Sequence, residues 1–477
     1  MDFFKKYFLV LLGPLSFIAL LLTPCPSGLN EISWKFIAAL SWILIWWSTE
    51  AIPIPATSLL PILLFPSLGI LEGKLVMNNY SKSIIFMFMG GFFLASALER
   101  WQLHKRFAIA ILKQTLKLFG QNARALIVGF MVATASLSMW ISNTATTIMM
   151  VAIGLSIADF FSNALPNKKD AKRFNKALML AIAYSASIGG ASTLIGTPPN
   201  LFFADYLRET TGVQIDMFTW MKYGIPFMVL MLIICWIWLT QFRFKINKIQ
   251  MPDIEPIIQK ESANIKPLSA AEYAVISIFT FTALTWIFRI KINSLMGWNL
   301  SDANIAIFSS VLLFSIPCSL TEKKFLLDWK SASKIPWGIL LMFGGGLSVA
   351  ISFSSTGLTE TLASVFTVFE GVHPVVFLII LSSFTLLLTE LVTNSAAVAT
   401  ILPTTTAICM STGLDFMYLA IPVTLACSAA FMFPISTPPN AIVFSCKSLK
   451  IKDMISSGLL LNIFSVFIII IIMTILK

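Results

Sequence analysis

Charged residues are scarce in this chain of 477 residues, at 12% of the total, against about 25% in an average soluble protein. Hydrophobic residues make up 57%. A soluble domain of this size cannot bury so many apolar side chains, because its surface needs polar cover. Intrinsic disorder is excluded for the same reason. The composition therefore predicts an integral membrane protein whose surroundings are the lipid bilayer.

Residues that carry metal or catalytic chemistry are also few. The chain has two histidines, His104 and His373, and six cysteines without any Cys-x-x-Cys pair. This argues against a zinc protease, a histidine-based catalytic centre and a disulfide or metal framework. The sequence contains no P-loop, so it does not support an ATP-driven pump. We therefore expect a protein that is not an enzyme and has no organic cofactor.

The formal net charge of +11 is interpreted first as a record of membrane orientation rather than of a nucleic-acid partner. Twenty-five of the 33 Lys and Arg residues lie at the N-terminus or in five segments, which are 100–124, 163–176, 243–267, 321–334 and 446–452. One topology places all of them in the cytoplasm. It has a cytoplasmic N-terminus, eleven spans and an external C-terminus.

This topology requires the long apolar stretches 124–160 and 375–412 each to enter and leave on one side, as re-entrant hairpins. Two ordinary helices in each stretch would give the same parity, so the charges leave both alternatives open. The predicted spans are 7–24, 32–48, 55–71, 84–100, 177–207, 222–242, 270–289, 304–320, 336–353, 415–445 and 455–476. The proline-containing polar segment 243–268 is predicted to be a cytoplasmic linker.

Three motifs occur twice in the same order along the chain. They are FMGG at 88–91 and FGGG at 343–346, SNT at 142–144 and TNS at 393–395, and TPPN at 197–200 and 437–440. The charge map makes the spans that carry matching motifs run in opposite directions. An inverted-topology repeat of this kind is typical of secondary transporters and favours alternating access over a channel.

The two TPPN motifs predict broken helices, because Pro198-Pro199 and Pro438-Pro439 lie within apolar spans. A break in the membrane is tolerated where protein or a water-filled cavity satisfies the backbone. The freed carbonyl oxygens suit a cation such as Na⁺, and the start of the following half-helix suits an anion. Gly196 would allow a close approach of the turn.

The clusters around Asn143 and Asn394 fit the tips of the two hairpins. Each asparagine offers an amide oxygen to a cation and amide hydrogens to an anion. The alternative is that these polar side chains only join helices by hydrogen bonds. Two matched pairs in inverted order favour binding. No Lys or Arg is near the tips, which favours a small polar anion held by uncharged groups.

Two acidic residues within membrane segments, Glu50 and Glu390, each follow a threonine. An ionisable group at such a place suggests a functional role. A hydrogen bond that anchors a helix is the equally weighted alternative.

The run WSTEAIP at 47–53, the LLP at 59–61 and the paired motifs together resemble the divalent anion:sodium symporter family, over roughly residues 40–450. Members of that family carry di- and tricarboxylates or sulfate. The resemblance implies a homodimer in which a transport domain moves against a scaffold domain by an elevator mechanism. One departure is the order Thr-Asn-Ser at 393–395, where the family usually has Ser-Asn-Thr, and it bears on substrate preference.

The resemblance also implies the residues of the site. The first sodium ion would be held by Ser138, Ser142, Asn143 and the Gly196 carbonyl. The second would be held by Thr389, Thr393, Asn394 and the Ser436 carbonyl. The substrate would contact Asn143, Thr144, Thr197, Asn394, Ser395, Thr437 and Pro438.

The expected fold is thus an all-α polytopic membrane protein of about eleven transmembrane helices with two re-entrant hairpins. The expected divisions are scaffold helices at 1–83 and 269–335, repeats at 84–242 and 336–446, the linker at 243–268 and a last helix at 455–477. The expected function is sodium-coupled symport of C4 dicarboxylates such as succinate, malate or fumarate. A sodium-independent dicarboxylate exchanger and a sulfate transporter are the alternatives. We expect a multi-pass protein of the bacterial plasma (inner) membrane.

Overall fold

The computed structural model describes residues 2–165, 167–246, 249, 267–319, 324–367, 371–446 and 448–476. Across these ranges the regular secondary structure is helical, apart from a small antiparallel pair of strands, β1 (Pro317–Ser319) and β2 (Lys324–Phe325). Eight helices in the described part are long and apolar enough to cross a membrane, and shorter apolar helices accompany them. The prediction of an all-α polytopic fold is confirmed. Most of the predicted linker, 250–266, lies outside the described residues.

The described part of the first half contains twelve α-helices, and a π-helical turn at Trp238–Arg243 follows the last of them. The helices are α1 (Asp2–Leu22), α2 (Glu31–Thr49), α3 (Ile54–Thr57), α4 (Leu60–Ser67), α5 (Gly73–Asn79), α6 (Ser83–Arg100), α7 (Leu103–Phe119), α8 (Ala123–Ser138), α9 (Asn143–Ala164), α10 (Lys168–Gly190), α11 (Pro198–Thr211) and α12 (Met217–Ile237).

The second half follows the same plan. Its helices are α13 (Ala270–Met296), α14 (Asp302–Ser315), α15 (Trp329–Ala332), α16 (Trp337–Ser355), α17 (Leu358–Phe366), α18 (Pro374–Leu391), α19 (Asn394–Thr412), α20 (Phe416–Cys427), α21 (Pro438–Ser445) and α22 (Ile451–Ile475). The order from α6 to α12 recurs from α16 to α22. In each case a glycine-containing helix is followed by a shorter helix, two helices joined at a motif tip, a broken helix and a last long helix.

The single span predicted over 55–71 is wrong in detail, because the structure has two short helices there, α3 and α4. Proline is favoured in the first turn of a helix and disrupts a helix interior. Pro55 and Pro61 each lie at the start of one of these helices, so they divide the apolar run. Fourteen residues, Ile54–Ser67, would extend only about 21 Å as one helix, against a hydrocarbon core of about 30 Å.

The two halves pack crosswise at the centre of the molecule. Helix α11 of the first broken segment packs against α19 of the second hairpin, and α21 packs against α9 of the first hairpin. The Tyr206 hydroxyl lies 2.7 Å from Thr406 Oγ1, and the rings of Tyr184 and Phe431 lie edge to face with centroids 5.2 Å apart. Both hairpins and both broken segments therefore share one buried centre.

Candidate functional site

The tip of the first hairpin brings three oxygen atoms together. Helix α8 ends at Ser138 and α9 begins at Asn143. Ser138 Oγ lies 2.6 Å from Asn143 Oδ1 and 2.8 Å from the Ala186 carbonyl oxygen in α10. A hydroxyl carries one proton, so it can donate to only one of these two acceptors at a time. The surplus of oxygen lone pairs makes this point suited to a bound cation.

The tip of the second hairpin repeats this geometry. Helix α18 ends at Leu391 and α19 begins at Asn394. Thr389 Oγ1 lies 2.9 Å from Asn394 Oδ1 and 2.9 Å from the Cys427 carbonyl oxygen in α20. Again one hydroxyl proton faces two acceptor oxygens. Two tips distant in sequence thus present the same three oxygen atoms, which are a hydroxyl, an amide oxygen and a helix carbonyl.

The other hydroxyls expected at the tips cap helices. Ser142 Oγ accepts a hydrogen bond from the Ala145 N–H at 3.3 Å, and Thr393 Oγ1 accepts one from the Ala396 N–H at 3.4 Å. An N-cap of this type fixes the first turn of a helix. Ser142 and Thr393 therefore hold the asparagine that follows each of them at the start of its helix.

Both helices that carry TPPN are broken, but the break precedes the prolines instead of falling on them. Helix α10 ends at Gly190 and α11 begins at Pro198, while α20 ends at Cys427 and α21 begins at Pro438. The prolines occupy the first turn of each second half-helix, where no N–H is needed. Segments 191–197 and 428–437 between the half-helices are not helical, and some of their carbonyl oxygens, such as those of Thr193 and Phe433, accept from side chains instead.

Thr197 and Thr437 are the N-cap residues of the two second half-helices, and each is only 3% exposed. Both have an extended backbone, and Thr437 Oγ1 accepts from the Asn440 N–H at 3.3 Å. The start of each half-helix directs N–H groups and partial positive charge toward the buried centre. Pro438 lies beside Thr437 as the first residue of α21.

Asn200 and Asn440 are the last residues of the two TPPN motifs, and their side chains hold the broken segments by hydrogen bonds. Neither residue was assigned a role from the sequence. The Asn200 Nδ2 group lies 2.7 Å from the Thr193 carbonyl oxygen and 3.2 Å from that of Gly190. Asn440 Nδ2 lies 3.0 Å from the Phe433 carbonyl oxygen. Both side chains are fully buried. Their recurrence in the two motif copies was the signal that could have revealed them.

Two glycines let the first break approach the first tip. A Cβ atom added to Gly190 would overlap the Asn143 side chain, and one added to Gly196 would overlap the Gly190 carbonyl. The expectation that Gly196 permits a close approach is confirmed. These contacts place Gly190 between Asn143 and Gly196. Asn143 and Gly190 are 47 positions apart in the sequence, so the fold brings distant residues together at the first tip.

The second tip faces the N-terminal helices. Thr393 and Ser395 line a narrow cavity together with Trp47, Ile54 and Phe202. Thr144 is half-buried in the first turn of α9. Among the described residues, no hydrogen bond joins one tip directly to the other. The crosswise packing of α9 with α21 and of α11 with α19 connects them instead.

Glu390 is the acidic residue that the structure places beside the second break. Its side chain is 2% exposed. Oε1 accepts from the Phe431 and Met432 N–H groups at 2.8 Å each and from Asn462 Nδ2 at 2.7 Å. Oε2 accepts from the Phe433 N–H at 3.2 Å. The hydrogen-bond alternative is the one observed, and the carboxylate anchors the broken segment.

The corresponding position in the first repeat carries no acid. Met139 follows Ser138 as Glu390 follows Thr389. There the Thr193 hydroxyl donates to the Met139 carbonyl and accepts from the Gly196 N–H. Glu50, by contrast, is exposed at the C-terminus of α2, in a left-handed conformation with φ 48°. The two acidic residues singled out in the sequence therefore have different surroundings.

Comparison with known proteins decides the family. The profile of the family described as the sodium:sulfate symporter transmembrane region matches residues 5–476. The chain belongs to this family. Its similarity to a sodium-dependent dicarboxylate transporter, SdcS, of Staphylococcus aureus strain USA300 is 39% identity over 474 residues, which are 97% of this chain and 89% of that protein. The SdcS of Staphylococcus saprophyticus is 37% identical over 471 residues, 97% of this chain and 90% of the relative.

A solved structure has a similar fold. The crystal structure of the Alcanivorax borkumensis YdaH transporter, reported to have an unusual topology, aligns with a TM-score of 0.50. The alignment covers 84% of this chain and 86% of that one at 12% identity. At this identity the likeness concerns the fold alone.

Proposed function

We propose that this member of the sodium:sulfate symporter family is a multi-pass transporter, not an enzyme, that couples the uptake of C4 dicarboxylates to sodium ions. The observation that carries the proposal is the repeated tip geometry, in which one hydroxyl proton faces an amide oxygen and a helix carbonyl. The close relatives named as sodium-dependent dicarboxylate transporters support the same function.

Each tip is proposed to bind one sodium ion. The first ion would be held by Ser138, Ser142, Asn143 and the Gly196 carbonyl, and the second by Thr389, Thr393, Asn394 and the Ser436 carbonyl. Unwound backbone next to a hairpin tip is the arrangement that transporters use for coupling ions. The convergence of Asn143 with Gly190 and Gly196 supports the first site. At the second site, Asn440 Nδ2 lies 3.4 Å from Ser436 Oγ, which orders the segment that would supply the carbonyl.

The dicarboxylate is proposed to lie between the two tips and the two half-helices. One carboxylate would contact Asn143, Thr144 and Thr197, and the other Asn394, Ser395, Thr437 and Pro438. Two matched donor sets suit an anion with two separate carboxylates better than a sulfate ion, which has a single charged group. No Lys or Arg occurs in 137–146, 193–200, 388–397 or 433–440. The bound sodium ions and helix N-termini would supply the positive potential.

The movement and assembly are also proposed. Helices in 1–83 and 269–335 would form a scaffold, and the repeats at 84–242 and 336–446, with the last helix, would carry the substrate as an elevator within a homodimer. The N-terminus would be cytoplasmic in the bacterial inner membrane. The repeated helix order and the distribution of Lys and Arg support this arrangement.

Substrate class is tested by competition for labelled succinate uptake into liposomes that contain the purified protein. We expect malate and fumarate to inhibit strongly, and sulfate to inhibit at least about tenfold more weakly, because sulfate engages one donor set instead of two. Inhibition by sulfate at the same concentration as fumarate would favour the sulfate transporter.

Gly190→Ala is expected to raise the sodium concentration for half-maximal uptake by about tenfold or more, because the new methyl group displaces the Asn143 side chain. Gly91→Ala is the matched control, since a Cβ added there meets nothing within 4 Å. The measurement is the sodium dependence of succinate uptake for both variants. An unchanged sodium dependence in Gly190→Ala would contradict the first sodium site.

A further inference from the structure

A basic cleft lies at the start of α10, remote from the two motif tips. Its volume is about 460 Å³, and its lining contains six cationic side chains and one carboxylate, which are Lys169, Lys172, Arg173, Lys176, Arg243, Lys245 and Asp453, together with Phe244. We propose that this cleft is a binding site for a phosphate-bearing anion. The volume falls within the range of small-molecule sites, about 300–1,000 Å³.

The described residues do not neutralise the positive charge in the cleft. Asp453 lies 2.6 Å from Lys176 Nζ and 3.6 Å from Arg243 Nη2. Arg173 pairs at 3.5 Å with Asp170, outside the cleft. In the described part of the chain, no carboxylate lies within ion-pair distance of Lys169, Lys172 or Lys245. Among the described residues, one acidic side chain therefore lines the cleft with six basic ones, and neighbouring like charges repel each other.

The position of these cations on α10 increases the imbalance. Lys169, Lys172, Arg173 and Lys176 lie in the first three turns of the helix that begins at Lys168. The partial positive charge of a helix N-terminus favours acidic side chains and disfavours basic ones at this end. A bound anion would relieve both the mutual repulsion and the unfavourable interaction with the helix dipole.

Arg243 closes the cleft from the other side and is already positioned. It ends the π-helical turn, where its Nη2 donates to Ser456 Oγ at 2.6 Å. Its guanidinium lies over the Phe244 ring at 5.0 Å. The buried Nε has no hydrogen-bond partner among the described residues. Ser456 thus fixes one nitrogen of the Arg243 guanidinium, and lysines of α10 line the same cleft. Proteins commonly bind phosphate oxygens with such combinations of Arg and Lys.

Membrane orientation alone does not account for this arrangement. The positive-inside bias depends on how many Lys and Arg residues flank a span, and it does not require them to converge. Here cations from α10 meet Arg243 and Lys245, which are about 70 residues away in the chain, in one concave site. An excess of charge that serves only orientation would be better spread over the surface, where water and salt screen it.

A phosphate group fits better than the carboxylates proposed for the central site. Six cations around one cleft suit an anion of more than two charges, and a tetrahedral phosphate accepts from several directions at once. The phosphate group can come from a soluble phosphate compound or from the headgroup of an anionic phospholipid. Anionic phospholipids attract clusters of basic residues close to the membrane.

The test measures binding of labelled inorganic pyrophosphate to the full-length protein in nanodiscs, by equilibrium dialysis. In phosphatidylcholine discs, Lys169→Gln/Lys172→Gln is expected to weaken binding about tenfold or more, because two charged contacts are lost. Both side chains are exposed, so the fold should tolerate the change. The matched control is Lys117→Gln/Lys334→Gln, which removes the same charge from exposed positions outside the cleft and should leave binding unchanged.

A second arm distinguishes the sources of the phosphate group. Pyrophosphate binding that persists in phosphatidylglycerol discs supports a soluble ligand, and binding lost only in those discs supports the lipid headgroup. Failure of pyrophosphate to bind in both kinds of disc would overturn the proposal, as would an equal loss of binding in the control variant. Displacement of the probe by succinate as readily as by unlabelled pyrophosphate would overturn the phosphate class. The readout is binding, so it is independent of whether the protein transports dicarboxylates.

Discussion

Asn143→Ala and Asn394→Ala are each expected to lower sodium-driven succinate uptake by at least about 100-fold. Each asparagine supplies the amide oxygen at one tip and lies 2.6–2.9 Å from the hydroxyl of the preceding helix end. In the proposed site, the same side chain also donates to the substrate. Removing it deletes one contact to the cation and one to the anion, each worth about 1.5–3 kcal/mol.

The control for this pair is Asn163→Ala, on the same helix as Asn143 but at its exposed far end. It should transport like the unmodified protein. All three variants should elute as the unmodified oligomer in size-exclusion chromatography, which separates loss of binding from loss of folding. Normal uptake by either tip variant would remove that asparagine from the site.

Glu390→Ala is expected to have the largest effect on stability. The carboxylate accepts four hydrogen bonds, three of them from consecutive backbone N–H groups of the second break. Alanine would leave these donors buried without an acceptor, at a cost of about 1–3 kcal/mol for each one that finds no water. We expect a clear fall in the temperature at which the purified protein unfolds, together with loss of uptake.

Glu390→Gln separates the charge of this residue from its geometry. With its amide oxygen in the place of Oε1, glutamine can still accept from the Phe431 and Met432 N–H groups and from Asn462, but its NH₂ group then faces the Phe433 N–H. An intermediate unfolding temperature is therefore expected. Glu360→Gln, at an exposed position, is the control and should unfold at the original temperature. If Glu390→Ala unfolds at that temperature too, the anchoring role is wrong.

The architecture follows from sequence features that act locally. Long apolar runs specify helices in lipid, and the recurrence of Asn143 and Asn394, each directly after a Ser or Thr, marks the two tips. Prolines in the TPPN motifs signal interrupted helices, and the structure has such interruptions at both places. These elements were predictable because their physical causes lie within a few residues of the effect.

Other features depend on contacts between distant segments. The exact position of each break is set by Asn200 and Asn440, whose amides hold the preceding turn. Glu390 accepts a hydrogen bond from Asn462 on the last helix, 72 positions away in the sequence. The basic cleft needs Arg243 and Asp453 to meet α10. Residue types and spacing do not reveal such pairings, because they arise only when the helices pack.

The division of 55–71 into α3 and α4 shows a different limit. Its mean apolar character satisfies the requirement for a span, yet Pro55 and Pro61 each start a new helix. Hydropathy measures the preference for lipid and carries no information about backbone continuity. The prolines were visible in the sequence, and they outweighed the apolar run.

The most direct test of the central claim is uptake of labelled succinate into otherwise empty liposomes under an inward sodium gradient. Sodium symport predicts that succinate accumulates above its external concentration, that this accumulation is abolished when sodium is replaced by choline, and that it does not depend on any dicarboxylate inside. Uptake that ignores sodium and requires internal dicarboxylate would contradict symport and establish the exchanger.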